Sequence, residues 1–228
     1  MSAREKYQEE GPAMPGTIIT IAQRKGGAGK TTLAAHLALA WAARQRVAIV
    51  DIDPQGSLAA WFNLRRSRLG GDAAIEASAI TGWRVAAEVE RQARGNDIVL
   101  IDSAPHAETE ARIAVRAASL VLVPVQPSPM DIWATQGTLD LCRQERVPAL
   151  LVLNRVPSRA NLTATMAAKL AELGAPLATA RIGNRVALAA ALAEGRGILE
   201  TAPTSPAALE IAALAEEVLQ RTAQRSAA

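Results

Sequence analysis

The sequence has few aromatic side chains and one cysteine. Aromatic residues make up 3% of the 228 residues although 50% of the chain is hydrophobic, so the core must be built mainly from alanine, leucine, valine and isoleucine, a composition that favours helices. Cys142 alone excludes an internal disulfide, a cysteine-rich zinc site and an iron–sulfur cluster held by several cysteines of this chain. A reducing cytosol fits this composition best.

Long apolar runs are also missing. The sequence contains no run of about 18 or more apolar residues and no apolar core of a signal peptide near its start, so neither a membrane span nor a secretory signal is predicted. Residues 1–16 are polar and contain proline and glycine, which is typical of a disordered extension, and Met14 is an alternative start. We therefore expect a cytoplasmic protein with a single domain over residues 17–228.

Lysine is the third scarce residue. It occurs only at positions 6, 25, 30 and 169, and all other basic residues are arginines, within a net charge of +3. An arginine preference suits contacts with phosphate or nucleic acid. A GC-rich genome gives the same bias, so composition alone leaves both explanations open.

Short apolar strands alternate with segments that favour helices. The predicted strands are 17–22, 47–51, 97–102, 120–125 and 149–154. The clearest predicted helices are 30–44, 132–144 and 206–221. This alternation predicts an α/β fold in which helices cover both faces of a doubly wound, mainly parallel sheet. Ligands of such sheets bind beyond the carboxyl ends of the strands, and several polar residues lie at or just past those ends: Lys25, Asp51, Asp53, Asp102 and Asn154.

A glycine-rich loop, AQRKGGAGKTT at 22–32, joins the first predicted strand to the first predicted helix. Glycines let backbone N–H groups point inward at phosphates, Lys30 can reach the β- and γ-phosphates, and the Thr31 hydroxyl can bind Mg²⁺. The expected phosphate-binding residues are Gly26, Gly27, Ala28, Gly29, Lys30, Thr31 and Thr32. Arg24 replaces the usual first glycine, so its backbone must avoid the left-handed conformation, and Lys25 adds a second lysine.

Two further motifs supply carboxylates. Asp51 and Asp53 end the second strand, and the turn at 54–56 should direct Asp53 into the crevice, where it would position a water on Mg²⁺ or the attacking water. An aspartate that only caps the strand end is the alternative. Asp102 ends an apolar strand, which is typical of the Walker B acid that binds Mg²⁺. The predicted metal-binding residues are therefore Thr31, Asp53 and Asp102.

Together these motifs resemble the ParA/MinD family of deviant-Walker P-loop ATPases over almost the whole chain from about residue 17. The matching segments are KGGAGKTT at 25–32, VDIDPQG at 50–56, DSAP at 102–105 and VPVQPSPMD at 123–131. The last segment and the short chain are most similar to the small partition ParA proteins. The resemblance implies ATP and Mg²⁺ as cofactors and three catalytic residues, Lys25, Lys30 and Asp53. In that family Lys25 would reach the partner's nucleotide in an ATP-sandwiched homodimer, and Asp53 would be needed for hydrolysis.

The nucleotide base is expected to be adenine. GTPases of related folds recognise guanine with an Asn-Lys-x-Asp motif after a strand, whereas Asn154 and Arg155 are not followed by the required acid. By resemblance, Asn154 would contact adenine and Arg155 would stack on it. A strand-end cap is the alternative for Asn154.

Members of the family differ in what the dimer binds. Partition ParA proteins bind nonspecific DNA through basic residues in the C-terminal part, and the resemblance implies such a role for Arg181, Arg185 and Arg196, which surround an alanine-rich segment at 179–197. Solvated charges at helix ends are the alternative.

The remaining expectations concern partners and competing functions. MinD binds membrane through a C-terminal amphipathic helix, but almost no bulky apolar residue follows Leu219, so no stable membrane association is expected. The expected partners are a second copy, nucleoid DNA and a ParB-like or adaptor protein that stimulates hydrolysis. A P-loop ligase acting on a metabolite is a further alternative, for which the sequence shows no separate set of substrate-binding residues.

Overall fold

The computed structural model describes residues 16–70, 75–105, 108–158 and 161–226. The predicted N-terminal extension, residues 1–16, lies outside the described residues except for Gly16, and the alternative start Met14 lies outside them too. Both therefore stay predictions, as does the extent of the domain.

Six strands and nine α-helices form the described chain. The strands are β1 Thr17–Ile21, β2 Val47–Asp51, β3 Ile75–Ala79, β4 Ile98–Asp102, β5 Leu120–Val125 and β6 Ala149–Leu153. The helices are α1 Lys30–Ala42, α2 Ser57–Leu69, α3 Val85–Gly95, α4 Glu108–Ala117, α5 Pro129–Glu145, α6 Asn161–Ala171, α7 Val186–Ala193, α8 Ile198–Thr201 and α9 Pro206–Ser226. A 3₁₀ turn at Gly82–Arg84 precedes α3.

The sheet is parallel throughout, in the strand order β3-β2-β4-β1-β5-β6. Its register places Asp102 beside Asp51 on one side and beside Ile21 on the other. The carboxyl ends of all six strands therefore lie at one edge, and the loops that follow them meet there. This confirms the predicted doubly wound α/β fold.

Helices cover both faces because alternate strand residues point in opposite directions. In β4, Ile98 and Leu100 pack in a cluster with α1, α2 and α9, whereas Val99 and Ile101 pack with α3 and α4. Helix α1 is apolar on nearly every side, and nine of its 13 residues are buried. Its alanines carry no bulk beyond Cβ, so the helix that starts in the glycine loop lies close to both the sheet and α9.

The predicted strand boundaries are correct to within one residue, and three helix boundaries differ more: the ends of α1 and α9 and the start of α5. Helix α5 begins at Pro129 rather than at residue 132, because the Ser128 hydroxyl accepts a hydrogen bond from the Asp131 backbone N–H and so caps the helix. Strand β3 was not predicted, because Ile75 is the one bulky apolar residue of IEASA. In the described part of the chain, no helix has the length and apolar character needed to cross a membrane.

Candidate functional site

The glycine loop lies at the carboxyl end of β1 and runs directly into α1. Gly29 precedes the helix in the left-handed conformation (φ 88°), and a Cβ at this position would lie 2.5 Å from the Asn154 Nδ2. Only glycine satisfies both constraints. The N–H groups of the first turn of α1 are thus free to point at an anion.

Lys30 lies under the loop with its ammonium group held in place. Its Nζ donates to the carbonyl oxygen of Gln23 at 3.2 Å, and the residue is 7% exposed. Burial lowers the pKa of Lys30, while the charges of Asp102 and Asp53 act in the opposite direction. The structure therefore brings together three of the predicted site residues: Lys30, Asp53 and Asp102.

Asp102 and Thr31 form the candidate metal position. The Thr31 hydroxyl donates to Asp102 Oδ2 at 2.6 Å, whereas Asp102 Oδ1 is buried and has no hydrogen-bond partner in the described chain. Burial raises the pKa of Asp102 to about 7, against the effects of the Thr31 hydrogen bond and the Lys30 charge. A hard divalent cation would satisfy the unpaired oxygen and keep the carboxylate ionised, so the residues present fit Mg²⁺.

Mg²⁺ usually completes its shell with phosphate oxygens and water rather than with a cage of side chains. Consistent with that preference, the described residues contain no group of three or more His, Cys, Asp or Glu that could hold a metal ion alone.

The two aspartates after β2 have different surroundings. Asp51 is buried and accepts hydrogen bonds from the backbone N–H groups of Asp53 at 3.1 Å and Ala59 at 2.9 Å, which fixes the turn and the start of α2. Asp53 is half-buried and accepts one bond, from the Gln55 N–H at 2.9 Å. The strand-end cap is therefore chiefly the role of Asp51, and Asp53 keeps a carboxylate at the crevice.

Lys25 is paired with a residue far along its own chain. Its Nζ lies 2.6 Å from Asp131 Oδ2 near the start of α5, with side chains 37% and 2% exposed. Ser128 Oγ donates to the same carboxylate oxygen, and Asp131 Oδ1 is buried without a partner among the residues described. The two lysines of the loop therefore have separate positions. Lys30 lies under the loop, and Lys25 lies against the start of α5, where it pairs with Asp131.

Sequence reasoning missed the polar contacts that fix the loop to α5. Gln23 Nε2 donates to Thr135 Oγ1 at 3.0 Å, and Gln23 Oε1 accepts from Thr138 Oγ1 at 3.3 Å. Gln126 Nε2 donates to the Gly27 carbonyl oxygen at 3.0 Å. The helix itself is predicted at 132–144, but no spacing rule assigns it contacts with the glycine loop.

Arg24 occupies the position of the missing first glycine. Among the described residues, the non-glycine positions with positive φ are Arg146 and Arg155, so Arg24 avoids the left-handed region as predicted. Its backbone N–H donates to Thr138 Oγ1 at 3.2 Å, and its guanidinium lies over Gly137, where a Cβ would be 3.1 Å from the nearest nitrogen.

Asn154 contacts the glycine loop. Its Nδ2 donates to the Ala28 carbonyl oxygen at 2.7 Å, its Oδ1 accepts from the Arg155 N–H at 2.9 Å, and it is 4% exposed. These bonds favour the strand-end role that was the alternative for Asn154. The exposed Arg155 adopts a positive φ of 52° beside it, and the contacts of both residues with adenine stay predictions.

The three arginines assigned to DNA differ in their surroundings. All three are exposed and lie around α7, which forms within the alanine-rich segment at 179–197. Arg185 forms a bidentate pair with Glu210, with N···O distances of 2.5 and 3.0 Å. Any DNA phosphate would have to compete with Glu210 for Arg185.

The segment 188–200 that carries Arg196 is bonded to two helices that start in the site. On α1, His36 Nδ1 accepts from the Ile198 N–H at 3.1 Å and Nε2 lies 3.1 Å from the Leu188 carbonyl oxygen. On α2, Arg65 donates to the Gly195 carbonyl oxygen at 3.1 Å and to both carboxylate oxygens of Glu200 at 2.8 and 2.9 Å. Burial lowers the pKa of His36 to about 4.

The chain is similar to known proteins over most of its length. Residues 19–198 match the family described as the CobQ/CobB/MinD/ParA nucleotide binding domain. The chromosome-partitioning ATPase Soj of Thermus thermophilus is 33% identical over 89% of this chain and 95% of its own. Maintenance of carboxysome distribution protein A of Halothiobacillus neapolitanus is 28% identical over 88% of this chain and 95% of its own.

A solved structure shows the same fold. The Cyanothece McdA(D38A)–ATP complex superposes with a TM-score of 0.77 at 18% identity, covering 91% of this chain and 98% of that one. The family match spans most of the chain and includes the glycine loop, the two acidic strand ends and the α5 segment. The chain therefore belongs to the CobQ/CobB/MinD/ParA family of nucleotide-binding domains.

Proposed function

We propose that this protein is a ParA-type positioning ATPase. It binds Mg-ATP, closes into a sandwich dimer, binds DNA without sequence preference on the nucleoid, and is released when a partner protein stimulates hydrolysis. The observation that carries this proposal is the separation of the two lysines of one loop, with Lys30 beside Asp102 and Lys25 on Asp131.

The nucleotide part of the proposal rests on the loop and its neighbours. The N–H groups at the start of α1 and the Lys30 ammonium would bind the β- and γ-phosphates. Thr31 and Asp102 would hold Mg²⁺, which supplies charge neutralisation at the transferred phosphoryl group. Asp53 would orient the attacking water or a water on Mg²⁺. The relative Soj and the structural neighbour MinD of Pyrococcus furiosus are named as ATPases, and the neighbour McdA was solved with ATP.

Dimerisation would depend on ATP because Lys25 would leave Asp131 only for a stronger anion. In one protomer, Lys25 is already paired with a buried carboxylate, so moving it costs an ion pair, and leaving Asp131 unpaired has a further cost. A triphosphate carried by a second protomer offers a stronger anion to the same ammonium. Nucleotide state would thereby control assembly, much as an arginine finger supplied in trans controls hydrolysis.

DNA binding would use the exposed arginines around α7. Contacts of Arg181 and Arg196 with phosphates would give an affinity that does not depend on base sequence and that falls steeply with salt. Arg185 would contribute once its pair with Glu210 opens. Two copies in a dimer would double the number of contacts.

The cargo has two candidates. Soj is named for chromosome partitioning, and the Halothiobacillus protein for the distribution of carboxysomes. We propose a cargo of either kind, a DNA locus reached through a centromere-binding protein or a protein cluster reached through an adaptor.

The decisive experiment measures the mass of the protein by light scattering with ADP or with a non-hydrolysable ATP analogue. Wild type should dimerise with the analogue only, and Lys25→Ala should stay monomeric while binding the nucleotide with nearly unchanged affinity. Lys169→Ala is the matched control, because Lys169 is exposed on α6. An analogue-dependent dimer of Lys25→Ala equal to that of wild type would contradict the proposal.

DNA binding is tested with wild type and Arg181→Glu over a salt series, with ATP or ADP. We expect binding with ATP alone and a marked loss in the variant. Equal binding with either nucleotide, or none with ATP, would remove the DNA-based mechanism.

A further inference from the structure

Large apolar side chains are exposed at six described positions. Half of them lie at the edge of the sheet formed by the carboxyl ends of its strands, which we call the nucleotide edge. The six are Leu69, Trp83, Met130, Trp133, Val186 and Leu209. Trp83 follows β3, whereas Met130 and Trp133 follow β5, so all three lie beyond the carboxyl ends of strands. Trp83 and Trp133 are 83% and 69% exposed, whereas the other two tryptophans of the chain, at 41 and 61, are buried.

Met130 and Trp133 share one side of the first turn of α5, and we refer to this pair as the α5 tip. Their spacing of three residues places them on the same helix face. Asp131, which binds Lys25, lies between them in sequence but points inward. One turn beyond Trp133, the Arg24 guanidinium covers Gly137. A strip of methionine, tryptophan and arginine therefore runs beside the Lys25–Asp131 pair.

This composition is typical of the core of a protein–protein interface. Tryptophan, methionine and arginine are enriched there, and a few such residues near the centre carry most of the binding energy. A tryptophan exposed to 69% beside a functional loop gains much apolar burial if a second surface covers it.

We propose that the α5 tip is an apolar anchor of the ATP-dependent dimer and is covered by a second copy of this chain. This inference rests on the proposed function. For Lys25 to reach the partner's phosphates, the partner must approach to hydrogen-bond distance of the Lys25 ammonium, which lies 2.6 Å from a residue of the same helix turn as the tip. The cations Arg24 and Lys25 complement the triphosphate that the second copy brings.

The symmetry of the dimer amplifies the effect of the tip. A two-fold interface uses the same patch on both protomers, so each substitution removes two anchors. Loss of the Trp133 ring from both copies should weaken dimerisation by about tenfold or more.

The first test measures the dimerisation constant by sedimentation with a non-hydrolysable ATP analogue for wild type, Met130→Ala, Trp133→Ala and Leu209→Ala. Leu209 is the matched control, since it is as exposed as Met130, at 62%, but lies on α9 beside Glu210. We expect weaker dimers for both tip variants and no change for Leu209→Ala. Analogue binding to the monomer should be the same in all four proteins.

The second test measures the solvent exposure of Trp133 in the α5 tip. In a Trp83→Phe background, Trp133 is the one strongly exposed tryptophan left, so acrylamide quenching of fluorescence reports its exposure. Quenching should fall when the ATP analogue is added and should not fall with ADP. A duplex DNA added without nucleotide should leave quenching unchanged.

The outcomes separate this inference from the proposed function. Wild type that stays monomeric with the analogue overturns both. Wild type that dimerises while the tip variants dimerise equally well, or while Trp133 stays fully quenchable, overturns the α5 tip alone. Protection of Trp133 by DNA without dimerisation would assign the strip to nucleic acid instead of a second copy.

Discussion

At the residue scale, two buried aspartates lie at the carboxyl edge of the sheet, Asp102 at the end of β4 and Asp131 after β5. Asp102 and Asp131 each have one carboxylate oxygen engaged and one without a partner in the chain as described. Buried unpaired oxygens are costly, and such costs are tolerated mainly where a ligand removes them. The unpaired oxygen of Asp102 suits a metal ion, whereas Asp131 holds Lys25 through its other oxygen, in a pair that the proposed dimer would open.

Asp102→Asn tests the metal role of this carboxylate. The amide removes a buried charge that lacks full compensation. We therefore expect the free energy of unfolding of the ligand-free protein to rise by about 1 kcal/mol. Mg²⁺-dependent ATP binding and hydrolysis should be lost. Calorimetry with and without Mg²⁺ and urea unfolding measure the two effects. Asp140→Asn, at an exposed site on α5, should change neither, and a destabilised Asp102→Asn would contradict the prediction.

His36 makes the stability of the protein depend on pH. Its pKa is lowered from 6.5 to about 4 by burial, so below pH 6.5 the unfolded state binds a proton that the folded state does not. Stability present above pH 6.5 is therefore lost as the pH falls towards 4, by up to about 3 kcal/mol. Urea unfolding of wild type between pH 7.5 and 4.5 should show this loss.

The control for that experiment is His36→Gln. This variant is less stable at neutral pH, because it loses at least one of the bonds to residues 188 and 198, but its pH dependence should be flatter. A parallel pH dependence in both proteins would assign the loss to other groups.

At the element scale, two helices that begin in site loops hold the same C-terminal segment. Helix α1 starts from the glycine loop and holds that segment through His36, while α2 starts after the Asp53 turn and holds it through Arg65. Gly195 permits this approach, since a Cβ there would lie 2.9 Å from the Arg65 Cα. The loops of the candidate site and the segment that carries Arg196 are thus connected through two buried sets of hydrogen bonds.

Arg65→Ala measures the strength of that connection. Removal of one partner leaves Glu200 without its bidentate pair and the Gly195 carbonyl without its donor, so the free energy of unfolding should fall by about 3 kcal/mol. Arg68→Ala, one turn further along α2 and exposed, should cost less than about 1 kcal/mol. Equal losses in the two variants, measured by urea unfolding, would show that the buried Arg65–Glu200 pair stabilises the protein no more than an exposed arginine does.

The elements differ in how well the sequence predicts them. Strands β1, β2, β4, β5 and β6 are found within one residue, because continuous apolar runs that end in polar residues are a local signal. Strand β3 is stabilised by its pairing with β2, which no local pattern records. Lys30, Thr31 and Asp102 are predicted as site residues for a similar local reason, since their motifs are short and continuous in sequence. The partners of Lys25 and Gln23 lie more than 100 positions away in sequence, so the contacts with α5 appear only once the chain has folded.

At the scale of the whole molecule, one sheet positions both the glycine loop and the segment that carries the arginines. The carboxyl ends of the strands carry the glycine loop, Asp102 and the α5 tip, and Gly183 pairs with Val156 just after β6. Two residues further on, Arg185 is held by Glu210 of α9. The proposed function needs one surface for a second copy and one for DNA. Because Glu210 neutralises an arginine proposed to bind DNA, it is expected to limit the affinity for DNA.

Glu210→Gln tests that expectation. The change removes a negative charge from the surface and frees the Arg185 guanidinium, while glutamine can still accept the Gly183 N–H hydrogen bond seen at 3.0 Å. DNA affinity of the ATP-bound protein should rise several-fold, and the slope of its logarithm against the logarithm of salt concentration should steepen by roughly one per protomer. Arg185→Ala should lower the affinity, since it leaves the Glu210 carboxylate without its pair and facing the phosphates. Glu216→Gln, at an exposed acid on the same helix, controls for net charge. If Glu210→Gln and Glu216→Gln bind DNA alike at every salt concentration, Arg185 lies outside the DNA surface and that surface must be sought around Arg181 and Arg196.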